Sequence, residues 1–287
     1  MNDSEAALFA EIRKDFHTSL RGNALAVQAG IPTNADKGSP PSVLIAQHFC
    51  ESLDVPEGER QAGQTAGRLL EEATLEFLRR AFFKLQHLRP GTWRVGRSNG
   101  SIAQYQQYRH LGDLASLTKA LREENSELAA AIGGDYLITP DVVVVRFPEE
   151  DSIINAGNKL VDCRVALATP LRKCNCDEPI LHASVSCKWT IRSDRAQNAR
   201  SEALNLVKNR KGKLPHVVVV TCEPLPSRLA SVALGTGEID CVYHVALPEL
   251  QQAVNGTSYH DAQEMLNTLV QGRRLRDISD LPLDLVT

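Results

Sequence analysis

Residues 183–209, ASVSCKWTIRSDRAQNARSEALNLVKN, decide the fold. The first nine read as a strand. Side chains of a strand alternate between its faces, so Ser184, Ser186 and Lys188 point one way and Val185, Cys187 and Trp189 the other. One face is apolar and packs; the opposite face carries a single lysine near the strand's end. A lysine there is costly unless it snorkels or meets carboxylates. From residue 194 to 209 the pattern becomes helical. Arg195, Asn198 and Glu202 recur at i, i+3 and i+7 and share one helix face. A helix packed beside the strand can turn that face, and Glu202 with it, back toward Lys188.

Working outward, TPDVVVVRF (139–147), HVVVVT (216–221) and DCVYHVAL (240–247) supply three further strands. The two all-valine runs indicate strands covered on both faces. Strand–helix–strand order then predicts an α/β fold, a mixed central sheet flanked by helices. The N-terminal half reads as helical. An amphipathic helix is expected over 4–21, a second from Val43 to about Leu53, a third over 63–88 stopped by Arg89-Pro90-Gly91, and a fourth over 113–132 ended by Gly133-Gly134. The segment IPTNADKGSPPS (31–42) reads as a loop. No linker is strong enough to split the chain, so one domain is expected over 1–287. Its N-terminal helical part (about 1–135) is integrated with the α/β core (about 136–287).

Composition is ordinary for a globular protein, 43% apolar and 23% charged. No apolar run approaches the roughly 20 residues that span a bilayer, and MNDSEAALFAEIRKDF lacks the basic and apolar regions of a signal peptide. The expectation is a cytoplasmic protein without a membrane partner. The seven cysteines are odd in number and several lie in apolar runs, which favours reduced thiols over a disulfide framework. Cys163, Cys174, Cys176 and His182 lie close enough in sequence to suggest zinc. However, Cys-x-Cys is not the usual knuckle spacing, and loop and core thiols fit better. Net charge is −3, yet from Lys188 to Lys213 eight Lys/Arg face only Asp194 and Glu202, a local excess of +6. A solvated helix face is the bland reading of such a run, and a nucleic-acid footprint the sharper one.

Two carboxylates can meet Lys188. Asp141 follows Pro140 at the head of a strand, where Pro and Asp are common for turn reasons alone; Glu202 lies on the following helix. Carboxylate oxygens bind Mg²⁺ and leave it several waters. Such a metal acidifies water and neutralises charge on a phosphodiester, while a neighbouring lysine orients or deprotonates that water. The residues suit phosphodiester hydrolysis. On spacing alone, a structural ion-pair cluster is the commoner meaning of such groups.

The wider pattern narrows the choice. Asp141 and Lys188 have 46 residues between them, and Lys188 and Glu202 have 13. Pro-Asp…Ser-x-Lys…Glu resembles the permuted PD-(D/E)xK motif, in which the second acidic residue has moved from the strand to the next helix. That variant belongs to type II restriction endonucleases that cut CCGG-containing sites. SCKWTIRSDRAQNARSE (186–202), GQTAG (63–67), QYRHL (107–111), LGTGEIDCVYH (234–244) and DISDLPLDL (277–285) are similar to the same family, nearly along the whole chain. The resemblance implies a restriction-endonuclease-like core and Mg²⁺-dependent cleavage of double-stranded DNA. It implies Asp141, Lys188, Glu202, Glu71 and Ser186 as catalytic residues, and Asp141, Glu202 and Cys187 at the metal.

For recognition, the short path between Lys188 and Glu202 carries Arg192, Asp194 and Arg195. Their bland reading is a helix start, with Ser193 or Asp194 as the cap. Arginine also donates two bonds to guanine, and a carboxylate accepts from cytosine N4, so this trio suits G·C pairs in the major groove. The resemblance assigns them the CCGG core, Asp36 and Arg228 the outer G·C pair, and Gln64 a minor-groove contact. Lys37-Gly38-Ser39 departs from the family pattern as an insertion. The implied target is GCCGGC, cut to leave 5′ overhangs. A palindrome implies a two-fold homodimer at least; the resemblance implies a tetramer, with a cognate DNA methyltransferase in the same system. Two rivals remain: a repair or junction-resolving nuclease on the same core, and a non-catalytic DNA-binding module. No helix-turn-helix signal supports the second.

Overall fold

The valine runs become the sheet. The computed structural model describes residues 6–124 and 138–287. Its main helices are α1 (Leu8–Leu20), α2 (Pro40–Ser52), α3 (Gly63–Phe82), α4 (Arg109–Glu124), α5 (Ser193–Asn209), α6 (Pro226–Ala233), α7 (Leu247–Asn255) and α8 (His260–Gln271). The strands are β1 (Val27–Gln28), β2 (Ile31–Pro32), β3 (Trp93–Arg97), β4 (Val142–Arg146), β5 (Ile180–Lys188), β6 (His216–Thr221), β7 (Cys241–His244) and β8 (Leu275–Asp277). β1 and β2 form a small antiparallel ribbon. The other six make one sheet in the order β3-β4-β5-β6-β7-β8. β3 runs antiparallel to β4, whereas β6–β7 and β7–β8 are parallel, so the sheet is mixed and the fold is α/β as expected. Val142 to Val145 are fully buried, as strands covered on both faces require.

The chain forms two units interleaved in sequence. One comprises Met1–Arg89, Val185–Ala203 and Val217–Thr287; the other comprises Pro90–Ser184 and Leu204–His216. Both units draw on segments from either side of residue 135, where the sequence pattern changes from helical to α/β. The cause is that the N-terminal helices bury their stripes against C-terminal elements.

In the first unit Ile12, Phe16 and Leu20 form the buried stripe of α1, and Phe16 meets Phe77 of α3 edge-on at 5.4 Å. Arg13 on the same helix bonds Glu249 of α7 at 2.6 and 2.8 Å and Asp277 of β8 at 2.9 Å. α2 packs on α7 and begins at Pro40, three residues before the expected start. Proline is tolerated at the first helical positions, and the Ser39 hydroxyl accepts the Ser42 N–H.

In the second unit β3 pairs with β4 from Trp93↔Arg146 to Arg97↔Val142. The buried Gln107 amide brackets β5, donating to the Leu181 carbonyl at 2.8 Å and accepting the Leu181 N–H at 3.0 Å. The Tyr108 hydroxyl donates to the Leu206 carbonyl near the end of α5 at 3.0 Å. α4 starts four residues before its expected position, and the expected stop at Gly133-Gly134 lies outside the described residues. No helix among the described residues is long and apolar enough to cross a membrane.

Candidate active site

The alternation of β5 is realised within the first unit. Val185, Cys187 and Trp189 are buried, while Lys188 keeps 18% of its side chain exposed. α5 then returns Glu202 to that strand. Lys188 Nζ lies 3.9 Å from Glu202 Oε2, and the Ser186 hydroxyl donates to the same oxygen at 3.4 Å. Glu202 stays 39% exposed, so its carboxylate remains open to a ligand.

A cavity of about 370 Å³ surrounds this group. Arg195, Asn198 and Glu202 of α5 line it from one side; Gln64, Gly67 and Glu71 of α3 line it from another, again at helical spacing. Glu71 is thus in the same cavity as Lys188 and Glu202. Cys187 also lines it. Its side chain is buried on the face opposite Lys188. Asp141 is in the other unit, half-buried at the residue before β4.

Two further cavities continue from the first through shared residues. One, of about 390 Å³, shares Gln64 and Arg195 with it and adds Arg60 and Arg192. The next, of about 630 Å³, shares Arg192 and is lined by Asp36, Arg228 and Arg200. Asp36 and Arg228 are ion-paired there. The Gly38 N–H, at 3.1 Å from Oδ1, and then the Arg228 guanidinium hold the Asp36 carboxyl below the usual range. The Lys37-Gly38-Ser39 segment has two structural roles: Gly38 holds Asp36, and Ser39 caps α2.

At the start of α5 the Arg192 carbonyl accepts the Ala196 N–H, so Arg192 occupies the cap position expected for Ser193 or Asp194. Asp194 is exposed in the first turn, where the helix dipole favours an acid, and lines none of the three cavities. Gly63 at the head of α3 lies against Arg195; an added Cβ would sit 3.4 Å from its Nη2.

The putting together of these residues coincides with a family match. The model of the NgoMIV restriction enzyme family matches residues 16–287. The chain is also 53% identical, over 97% of its length and 98% of the relative's, to the type II restriction enzyme NgoMIV of Neisseria gonorrhoeae. The chain belongs to the NgoMIV restriction enzyme family. It is accordingly a type II restriction endonuclease, a DNA-binding, site-specific deoxyribonuclease.

Within this NgoMIV-family chain the structure also brings in residues the sequence did not single out. Arg200 is bonded to Glu238, which is 4% exposed. Burial works to raise that carboxyl, but the Thr236 hydroxyl and Arg200 pull it down to about 2. LGTGEID needs Gly235 for this arrangement, since a Cβ there would meet Glu238 Oε1 at 2.7 Å. Glu223, fully buried beneath Arg228, is the other. The candidate zinc residues have separate surroundings. Cys163 is exposed, Cys174 faces Asp151 at 3.8 Å, and Cys176 faces Glu178 at 3.0 Å. His182 meets Trp93 and His216 edge-on at 4.9 and 5.0 Å. Among the described residues no group of three or more His, Cys, Asp or Glu side chains is arranged to hold a metal ion.

Proposed function

We propose that this endonuclease hydrolyses double-stranded DNA at GCCGGC, depends on Mg²⁺ and leaves 5′ overhangs. The observation that carries the reading is the run of three cavities joined by Gln64, Arg195 and Arg192. It leads from Glu71, Lys188 and Glu202 to Asp36 and Arg228.

The donors fit Mg²⁺. Glu202 is a part-exposed carboxylate, Glu71 shares its cavity, and Cys187, whose main-chain oxygen we assign to the metal, lines it too. Asp141 completes the set on the strength of the motif. When bound, Mg²⁺ supplies positive charge at the scissile phosphate and acidifies water. Lys188 orients the attacking water, takes up or shares its proton, and stabilises charge developing on the phosphate. The Ser186 hydroxyl steadies the Glu202 oxygen on which it donates.

Reading belongs to residues beside and beyond the cutting group, along the cavities and at the start of α5. Arg192 and Arg195 each match guanine O6 and N7, and Asp194 matches cytosine N4, at the CCGG core. Arg228 and Asp36 serve the outer G·C pair, and Gln64 contacts the minor groove. A palindromic site calls for a homodimer at minimum, and two such dimers make the tetramer. A methyltransferase of the same specificity would protect the host DNA.

A plasmid digest with Mg²⁺, followed by run-off sequencing of the ends, tests the reading. Discrete bands with breaks inside GCCGGC are expected. Smearing, or cutting confined to junctions, would sink it in favour of a nuclease without a fixed sequence.

A further inference from the structure

The loop between β6 and α6 holds a carboxylate that the proposed chemistry does not use. Glu223 has no exposed surface. One of its oxygens accepts the Ile191 N–H at 2.8 Å and the other the Leu225 N–H at 3.1 Å. Ile191 immediately precedes Arg192, and Leu225 is the residue before α6, the helix that carries Arg228 in its first turn. Arg228 Nη1 lies 4.0 Å from the same carboxylate, while its Nη2 pairs with Asp36.

A carboxylate out of water is expensive when no cation touches it closely. Satisfying two main-chain N–H groups needs only neutral acceptors. The negative charge does more at this place: it grips two chain segments at once and draws Arg228 toward them. We propose that Glu223 is a positioning residue for sequence recognition, locking the Ile191–Arg192 turn and the head of α6 together so that Arg192 and Arg228 present their guanidinium groups in one fixed register. The inference rests on the base-reading roles proposed for Arg192, Arg228 and Asp36.

Glu223→Gln keeps the shape and removes the charge, and it leaves one of the two main-chain N–H groups facing an amide NH₂ in place of an acceptor. Cleavage rates are measured on GCCGGC duplexes and on duplexes changed at the outer or the central pairs. Affinity for an unrelated duplex is measured beside them without metal. Wild type preferring GCCGGC, with E223Q losing about tenfold or more of that preference at unchanged affinity for unrelated DNA, is the expected result; tenfold lies within one arginine–guanine contact. Wild type without preference would overturn the recognition reading and the inference with it. Wild-type preference retained in E223Q would overturn the inference alone. So would an equal loss on every duplex, which would make Glu223 a purely structural group.

Should E223Q fail to fold, the unsubstituted protein decides. The charged groups around Glu223 are Arg228 on α6 and Asp36 ahead of α2, and Arg192 on the turn after β5 acts on Asp36; burial keeps the neighbouring Cys222 thiol neutral. Burial pushes Glu223 up to about 7. Preference for GCCGGC should therefore weaken as pH falls below that value. A preference flat with pH would overturn the inference.

Discussion

Lys188 is the residue at which strand geometry and chemistry meet. Strand alternation places it opposite Val185, Cys187 and Trp189, and the 3.9 Å approach to Glu202 gives it a carboxylate. Lys188→Ala should bind GCCGGC duplex as wild type does yet cleave it at least about 100-fold more slowly, the loss typical when one charge-stabilising donor is removed. Gel-shift and single-turnover assays read the two effects separately, and unchanged cleavage would refute the assignment. Glu223 makes a second prediction at this scale, about stability. Its folded pKa, about 7, lies above the ordinary 4.5, so the native state binds more protons than the unfolded chain between those values. The corresponding stability is full below about 4.5 and is lost as pH rises through 7. E223Q has no such loss. Its melting temperature relative to wild type should therefore climb between about pH 5 and pH 8, by the equivalent of about 3 kcal/mol. The polar-face position of Lys188 could be read from alternation alone. Glu223 could not, because CEPLP shows only a loop and the partners of its carboxylate lie on three separate segments.

At the scale of elements, legibility followed the strength of the local pattern. β6 coincides with its valine run, and α5 is displaced by one residue at its start. β3 went unread because Trp93-Arg-Val-Gly-Arg is short and half polar; it becomes a strand by pairing with β4. α6, α7, α8 and β8 likewise take their place from packing. α1 was legible as an amphipathic helix, but the partners of Arg13 were not, since Glu249 and Asp277 lie more than 200 residues away. Arg13→Ala would leave both carboxylates part-buried without their cation. The expected cost is about 2–3 kcal/mol, below the full range for buried pairs because each side chain keeps some exposure. Chemical denaturation checks it. Burial works to raise both Glu249 and Asp277, but Arg13 holds both below their ordinary values. Their contribution is present above about pH 4.5 and is lost on acidification. The wild-type advantage over R13A should shrink accordingly below pH 4, and an advantage constant with pH would count against the pairing.

Over the whole molecule, a net charge of −3 conceals the local excess of +6 between Lys188 and Lys213. Affinity for an unrelated duplex should therefore fall linearly in log–log form with salt, with a slope steeper than about −3, as phosphate contacts displace counterions. A flat dependence would mean that this segment stays off the backbone. Sedimentation of the protein with a GCCGGC duplex should give at least two chains per duplex. The interleaved units, by contrast, were illegible in sequence, because membership is set by which buried stripes meet and not by chain order.

One feature reaches beyond enzymology. Lys188, Arg192, Arg195 and Glu202 sit on a single strand, turn and helix. A nuclease that loses selectivity endangers the genome of its own host. If the reading and cutting roles proposed for these residues hold, both are carried by one stretch of backbone, and a change that slackens the turn and blurs the reading also shifts Glu202 away from Lys188. The hazard tends to disarm itself, and loosened variants are steered toward inactivity.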